Sequence, residues 1–219
     1  MSTATLPNSV HAPTSSSLGP LIGALIAVWL ALVFILGSQG AFLAAPGTPP
    51  LAIFLAVATP IALFVIGYRR SERFRDFVLG LDLRLLTGIQ AWRFAGFVFI
   101  ALLTYRILPG AFAWPAGLGD IAIGLSAPFV AFALARNPRI AASRGFVLWN
   151  VLGLLDLVTA VGTGTLIASG VIGVTDATIV PMGHLPMVLI PAFFVPGLAL
   201  LHFAALIQAR RYANAIDSL

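Results

Sequence analysis

Six stretches of this chain are long and apolar enough that each must leave water as a unit. They run from Leu21 to Gly37, Leu51 to Tyr68, Leu85 to Leu108, Ile121 to Ala135, Phe146 to Ser169 and Leu185 to Ala209. A bilayer core takes about 20 predominantly apolar residues per helix, and hydrocarbon leaves a lone segment no way to satisfy its backbone except as a helix. The fourth stretch is short, so Gly117 to Asp120 extend its start, with Asp120 read as the N-cap. Composition leaves no soluble alternative. Of 219 residues, 60% are hydrophobic and 9% charged, whereas soluble domains carry roughly a quarter charged residues to cover their surface. The expected fold is an all-α polytopic transmembrane helix bundle of six spans over residues 21–211. A disordered tail, 1–20, precedes it and a short tail, 212–219, follows.

The tail 1–20 is rich in Ser, Thr and Pro and holds no Lys or Arg, so it lacks the basic n-region of a secretory signal and the first span is read as retained. The Ala-rich stretch Ala41 to Ala45 keeps cleavage of that first span open as the alternative. With no cysteine in the chain, disulfides, thiolate metal sites, iron-sulfur clusters and thiol nucleophiles are excluded. Nucleic-acid binding would need a basic face on a soluble fold, and none is available.

All twelve basic residues are arginine, and their placement sets the orientation. Arg69, Arg70, Arg73, Arg75 and Arg84 fall between spans two and three, Arg136, Arg139 and Arg144 between four and five, and Arg210 and Arg211 after six. Segments 38–50 and 170–183 hold none, and 109–119 has only Arg106 at its edge. The positive-inside rule then puts both termini of this multi-pass protein in the cytoplasm, N-in/C-in. Within segment 69–84, Phe74, Phe77, Val78, Leu81 and Leu85 recur at helical spacing while Arg73, Asp76 and Arg84 lie on other faces. That pattern predicts an amphipathic interfacial helix, an elbow into span three held by anionic lipid head groups. Spans two, four and six each hold an internal proline before a basic cluster, a weak sign of three repeated hairpins.

Ionisable groups at membrane depth are costly, and each is a candidate for function. Asp156 lies about 18 Å of helix beyond Arg144, near the midplane. It should face the bundle, either as a functional carboxylate with a cationic partner or as a neutral, hydrogen-bonded acid acting as structural glue. Arg93 starts about two turns inside span three, with Gln90 one turn before it on the same face. It can snorkel to the cytoplasmic interface, or pair with Asp156. Asn150 and His202 belong to a similar inner depth, so Gln90, Arg93, Asn150, Asp156 and His202 form one candidate inner polar cluster. Arg106 and Asp120 sit at the facing ends of spans three and four, each where the helix dipole favours it, and are expected to close the outer loop as a structural pair. Phe112 and Trp114 in that loop read as interfacial anchors.

His184 and His202 bracket the last span about 27 Å apart, too far to share a metal, and no metal site or catalytic constellation is expected. Pro191 and Pro196 free the carbonyls of Met187 and Ala192. Span five, approaching through Gly153, Ala160 and Gly164, could satisfy them through Thr159 or Thr163. The span is then either simply kinked or a discontinuous helix built around an ion, as in transporters.

The order QAWR (Gln90 to Arg93), GDIAIGLSAP (Gly119 to Pro128), WNVLGLLDL (Trp149 to Leu157), LPMVLIPAFFVP and then His202 resembles an uncharacterised family of small bacterial multi-pass integral membrane proteins. The resemblance covers Gln90 to His202 and implies no catalytic residue and no particular cofactor. Its pattern leads one to expect a bulky residue where this chain has Gly119. Three functions compete. The first is a small-solute or ion transporter or channel-like protein, expected as a homodimer at this size. The second is a non-catalytic accessory or assembly subunit, and the third a membrane enzyme or redox protein acting on a lipid or quinone.

Overall fold

The computed structural model describes residues 18–175 and 177–217. The expected N-terminal tail falls on residues 1–17, outside the described residues, and on Leu18–Pro20, which already form the first turn of α1. The regular elements of the described residues are all helical, and the α-helices are α1 (Leu18–Ser38), α2 (Leu51–Arg70), α3 (Glu72–Gly80), α4 (Leu83–Ile89), α5 (Phe97–Thr104), α6 (Gly110–Arg136), α7 (Arg144–Ala168) and α8 (Val195–Asp217). Six rods are long and apolar enough to cross a membrane: α1, α2, Leu83–Thr104, α6, α7 and Ile190–Asn214. The protein is thus a six-helix polytopic bundle. α2 buries no residue and α1 only Val33 and Gly37, whereas the third span and the last are the most enclosed. The polar site belongs to the inner four spans.

The amphipathic stretch after α2 folds as α3, begun by Ser71, whose hydroxyl accepts from the Phe74 amide at 3.2 Å. Its apolar face is occupied by protein. Val78 is buried with Ala204, Ala205 and Ala209 of α8, while Phe74 and Phe77 pack beside Phe64 and Tyr68 of α2. Gln208 of α8 donates to the carbonyls of Val78 and Leu81, 3.0 Å each, and so ties the last span to this elbow. α8 itself continues as helix to Asp217.

The third span is not one regular helix. Between α4 and α5 the residues QAWRFAG, Gln90–Gly96, wind as a 3-10 helix. A tighter turn in mid-span is uncommon, and here it coincides with a close approach of two backbones. A Cβ on Gly96 would lie 2.6 Å from the Asp120 Cβ and 2.8 Å from the Gly117 carbonyl, and one on Gly124 would run into the backbone of Arg93 and Phe94. Only glycines at the crossing let α6 sit this close.

The fourth span corrects the sequence expectation. α6 begins at Gly110, ten residues before Asp120, with Pro109 extended at its N-cap. Asp120 is therefore an interior residue and not a cap. The glycines and Pro115 gave this stretch the look of a loop, but burial decided otherwise: Phe112, Ala113 and Ala116 form a core with Phe99 and Leu108. Phe112 is accordingly no interfacial anchor, while Trp114 is exposed.

The last span also departs from expectation. Leu185 to Val188 form irregular turns, Ile190–Phe194 is a single π-helical turn, and α8 follows. The Met187 carbonyl accepts from the Ile190 amide at 3.0 Å. The Thr159 and Thr163 hydroxyls bond back to their own helix, at Leu155 and at Thr159 and Ala160, and supply nothing to the last span. The carbonyl freed by Pro191 is thus satisfied inside its own segment by a tight turn, and a single widened turn follows it, a usual device at such a kink.

A buried arginine shared by two aspartates

Arg93 projects from the 3-10 turn into the centre of the inner four spans and is 2% exposed. Its Nε donates to Asp120 Oδ1 of α6 at 2.6 Å, and its Nη2 to Asp156 Oδ2 of α7. Nη1 donates to the Gly153 carbonyl at 3.2 Å and faces Nε2 of His202 on α8 at 3.1 Å. Four helical segments thus converge on one guanidinium, whose rigid fork is suited to such sharing.

The hydrogen bonds fix the histidine's tautomer. Arginine only donates, so His202 Nε2 accepts. Its Nδ1 lies 2.9 Å from Asn150 Oδ1, and the Asn150 amide nitrogen donates to the Phe146 carbonyl at 2.9 Å, leaving Oδ1 as acceptor. His202 is therefore neutral with its proton on Nδ1. Trp149 packs edge-on against the imidazole, ring centroids 5.5 Å apart, and donates from its indole nitrogen to Ser126 at 2.8 Å.

Two glycines make the space. Asp156 Oδ1 occupies the volume where a Cβ on Gly119 would stand, and the His202 ring edge does the same at Gly153. The bulky residue expected at position 119 would displace Asp156 from the network, which gives the glycine a definite role.

Of the expected inner cluster, Arg93, Asn150, Asp156 and His202 are joined directly. Arg93 does not snorkel: its cationic end is engaged inside the bundle. Gln90 is buried beside them but bonds elsewhere, donating to the Leu198 carbonyl at 3.1 Å, and its Oε1 has no hydrogen-bond partner among the described residues. The expected Arg106–Asp120 pair does not form. Arg106 is exposed where the chain turns after α5 with φ of 56°, and Asp120 points inward to Arg93 because α6 starts so far ahead of it. His184 is exposed in the connector before the last span. Sequence reading missed Asp120 as a member of the cluster, together with Gly119, Gly124, Trp149 and Ser126. The GDIAIG spacing, an acid with a glycine just before it and another about one turn after it, was the available signal.

Beside Asp120 lies a cavity of about 340 Å³, near the lower end of the roughly 300–1,000 Å³ of small-molecule sites. Its walls come from Phe99, Phe112, Leu157, Gly164, Ile190 and Val195, and it reaches the surface among Ala44–Gly47, which are exposed. Asp120 is the only ionisable residue in its wall among the described residues. No three His, Asp or Glu side chains among the described residues are grouped to hold a metal ion.

Six apolar rods around a desolvated ion network define a multi-pass integral membrane protein with a polar interior site. Residues 50–210 match the model of a family described as a domain of unknown function, DUF8737, and the chain belongs to that family. Every residue of the network lies within the matched range. No curated protein and no solved structure matches the chain.

Proposed function

We propose that the protein is a carrier for a small solute, and that the solute, or the ion whose gradient drives it, is held at the Arg93–Asp120–Asp156 network. One observation carries this reading: the cavity that starts among exposed residues of the first connector ends against a carboxylate already engaged with a buried arginine. Intramembrane ionisable groups facing a cavity are candidates for substrate and ion pathways, and secondary carriers bind near mid-membrane beside broken helices. The 3-10 turn carrying Arg93 and the π turn at Pro191 are such breaks. The arginine-free connectors around the cavity mouth support an outward-facing entrance, with the arginine-rich end and both termini in the cytoplasm of a plasma membrane.

Proteoliposomes test this directly. With a proton gradient imposed and a metabolite mixture outside, mass spectrometry of the washed vesicles should find at least one solute accumulated by the wild type and reduced to the level of empty liposomes by Asp156→Asn. Accumulation unchanged in that variant, or nothing above empty liposomes, contradicts the reading.

A further inference from the structure

With both carboxylates ionised, the site would carry an excess negative charge. Arg93 supplies one positive charge, Asp120 and Asp156 two carboxylates, and His202, from the fourth span packed here, is neutral by its hydrogen bonds. An uncompensated charge in a low-dielectric interior is costly, so a cation or a proton must balance it. The only charged side chain that reaches the cavity is Asp120, among the described residues, and it gives Arg93 one oxygen, Oδ1.

From this we propose that the cavity binds a small organic monocation, a protonated amine or quaternary ammonium with an apolar body. The charge rests on Asp120 and the body lies among the apolar walls. The proposal rests on the solute-site reading above and names its substrate class. Three features select this chemistry. An anion would meet no free cationic group, because the single ionisable side chain of the wall among the described residues is the Asp120 carboxylate. A bare divalent cation wants six or more hard oxygens, and the wall offers one carboxylate. Phe99 and Phe112, packed edge to face with centroids 5.5 Å apart, both line the cavity and supply aromatic surface for an alkylammonium group.

Charge balance also fixes what leaves. In the unloaded site one proton shared by Asp120 and Asp156 cancels the excess charge, and the arriving cation displaces it. One proton departs for each cation bound, and the net charge of the site stays constant. The charged group facing this pair is Arg93 from the third span, and His202 from α8 reaches Arg93 rather than either carboxylate.

Titration calorimetry on the full-length protein in lipid nanodiscs decides the matter, with benzyltrimethylammonium, benzyl alcohol and benzoate as probes of one shape and three charges. The quaternary cation should bind best. Its affinity should fall at least about tenfold in Asp120→Asn, and runs in buffers of different ionisation enthalpy should report about one proton released per cation. Gly164→Leu, which fills the cavity without touching the ion network, should abolish binding while the thermal midpoint stays near that of the wild type. This second variant keeps the test valid should Asp120→Asn fold poorly. Preference for benzoate or benzyl alcohol that Gly164→Leu removes overturns the cation assignment and leaves the solute site standing. Binding of none of the three overturns the proposal, whereas the carrier reading falls separately, on the flux measurement.

Discussion

At Arg93 four polar groups from three other helices meet one side chain, and the arrangement is asymmetric in its energetics. A buried ion pair adds little net stability over an apolar filling, but removing one partner strands a charge at about 3–5 kcal/mol. The network therefore acts as a constraint on which packing of the spans is allowed. Its far end, Asn150–His202, makes a prediction at this scale. Nitrogen-15 spectra of histidine-labelled protein, with the His202 signals assigned by their loss in His202→Gln, should show a neutral ring protonated on Nδ1. Asn150→Ala, which leaves that buried N–H without its acceptor, should cost about 1–3 kcal/mol in unfolding. A proton on Nε2, or a doubly protonated ring, would refute the hydrogen-bond chain. Depth alone made Asp156 legible in the sequence, because an ionisable group far from either membrane face must find a partner, whereas Arg93, about two turns inside, could equally have snorkelled. Asp120 was misjudged because its role depended on where its helix begins, and a run of glycine and proline read as a loop was in fact held helical by buried Phe112, Ala113 and Ala116.

Among elements, the crossing of α6 over the third span governs the site's geometry. Gly96, Gly117 and Gly124 bring the two backbones together, and the 3-10 turn aims Arg93 between Asp120 and Asp156. Small residues at such interfaces are the usual means of close helix approach in lipid. The expected consequence is a sharp difference between two glycines. Gly124→Ala sets a methyl group into the Arg93–Phe94 backbone, which cannot move aside, and should cost at least the roughly 1–3 kcal/mol of an overpacked core. Gly164→Ala meets only the Phe112 ring edge at an ordinary 3.5 Å and should be close to neutral. Thermal unfolding in detergent distinguishes them, and equal midpoints would mean that α6 does not approach this closely. The six spans were readable because apolar length is a property of a single segment. The 3-10 and π turns were not, since both answer to neighbouring helices.

For the molecule as a whole, the apolar rods separate into an outer pair, α1 and α2, which bury little, and an inner four that enclose the network and its cavity. The cavity lies toward the connectors without arginine, while the basic clusters gather at the opposite end. A protein organised this way offers its acid to one side of the membrane. The chain has no cysteine of its own, so single introduced thiols report on that asymmetry without background. The measurement that bears most directly on the account is labelling of intact cells with an impermeant cationic methanethiosulfonate. It compares Ala44→Cys at the cavity mouth, Ala160→Cys in the cavity wall one turn from Asp156, and Ser143→Cys at the arginine-rich end. The account predicts reaction at the first two and none at Ser143→Cys until the cells are opened. Labelling of Ser143→Cys on intact cells, or an Ala160→Cys thiol reached only from the cytoplasmic side, would contradict it.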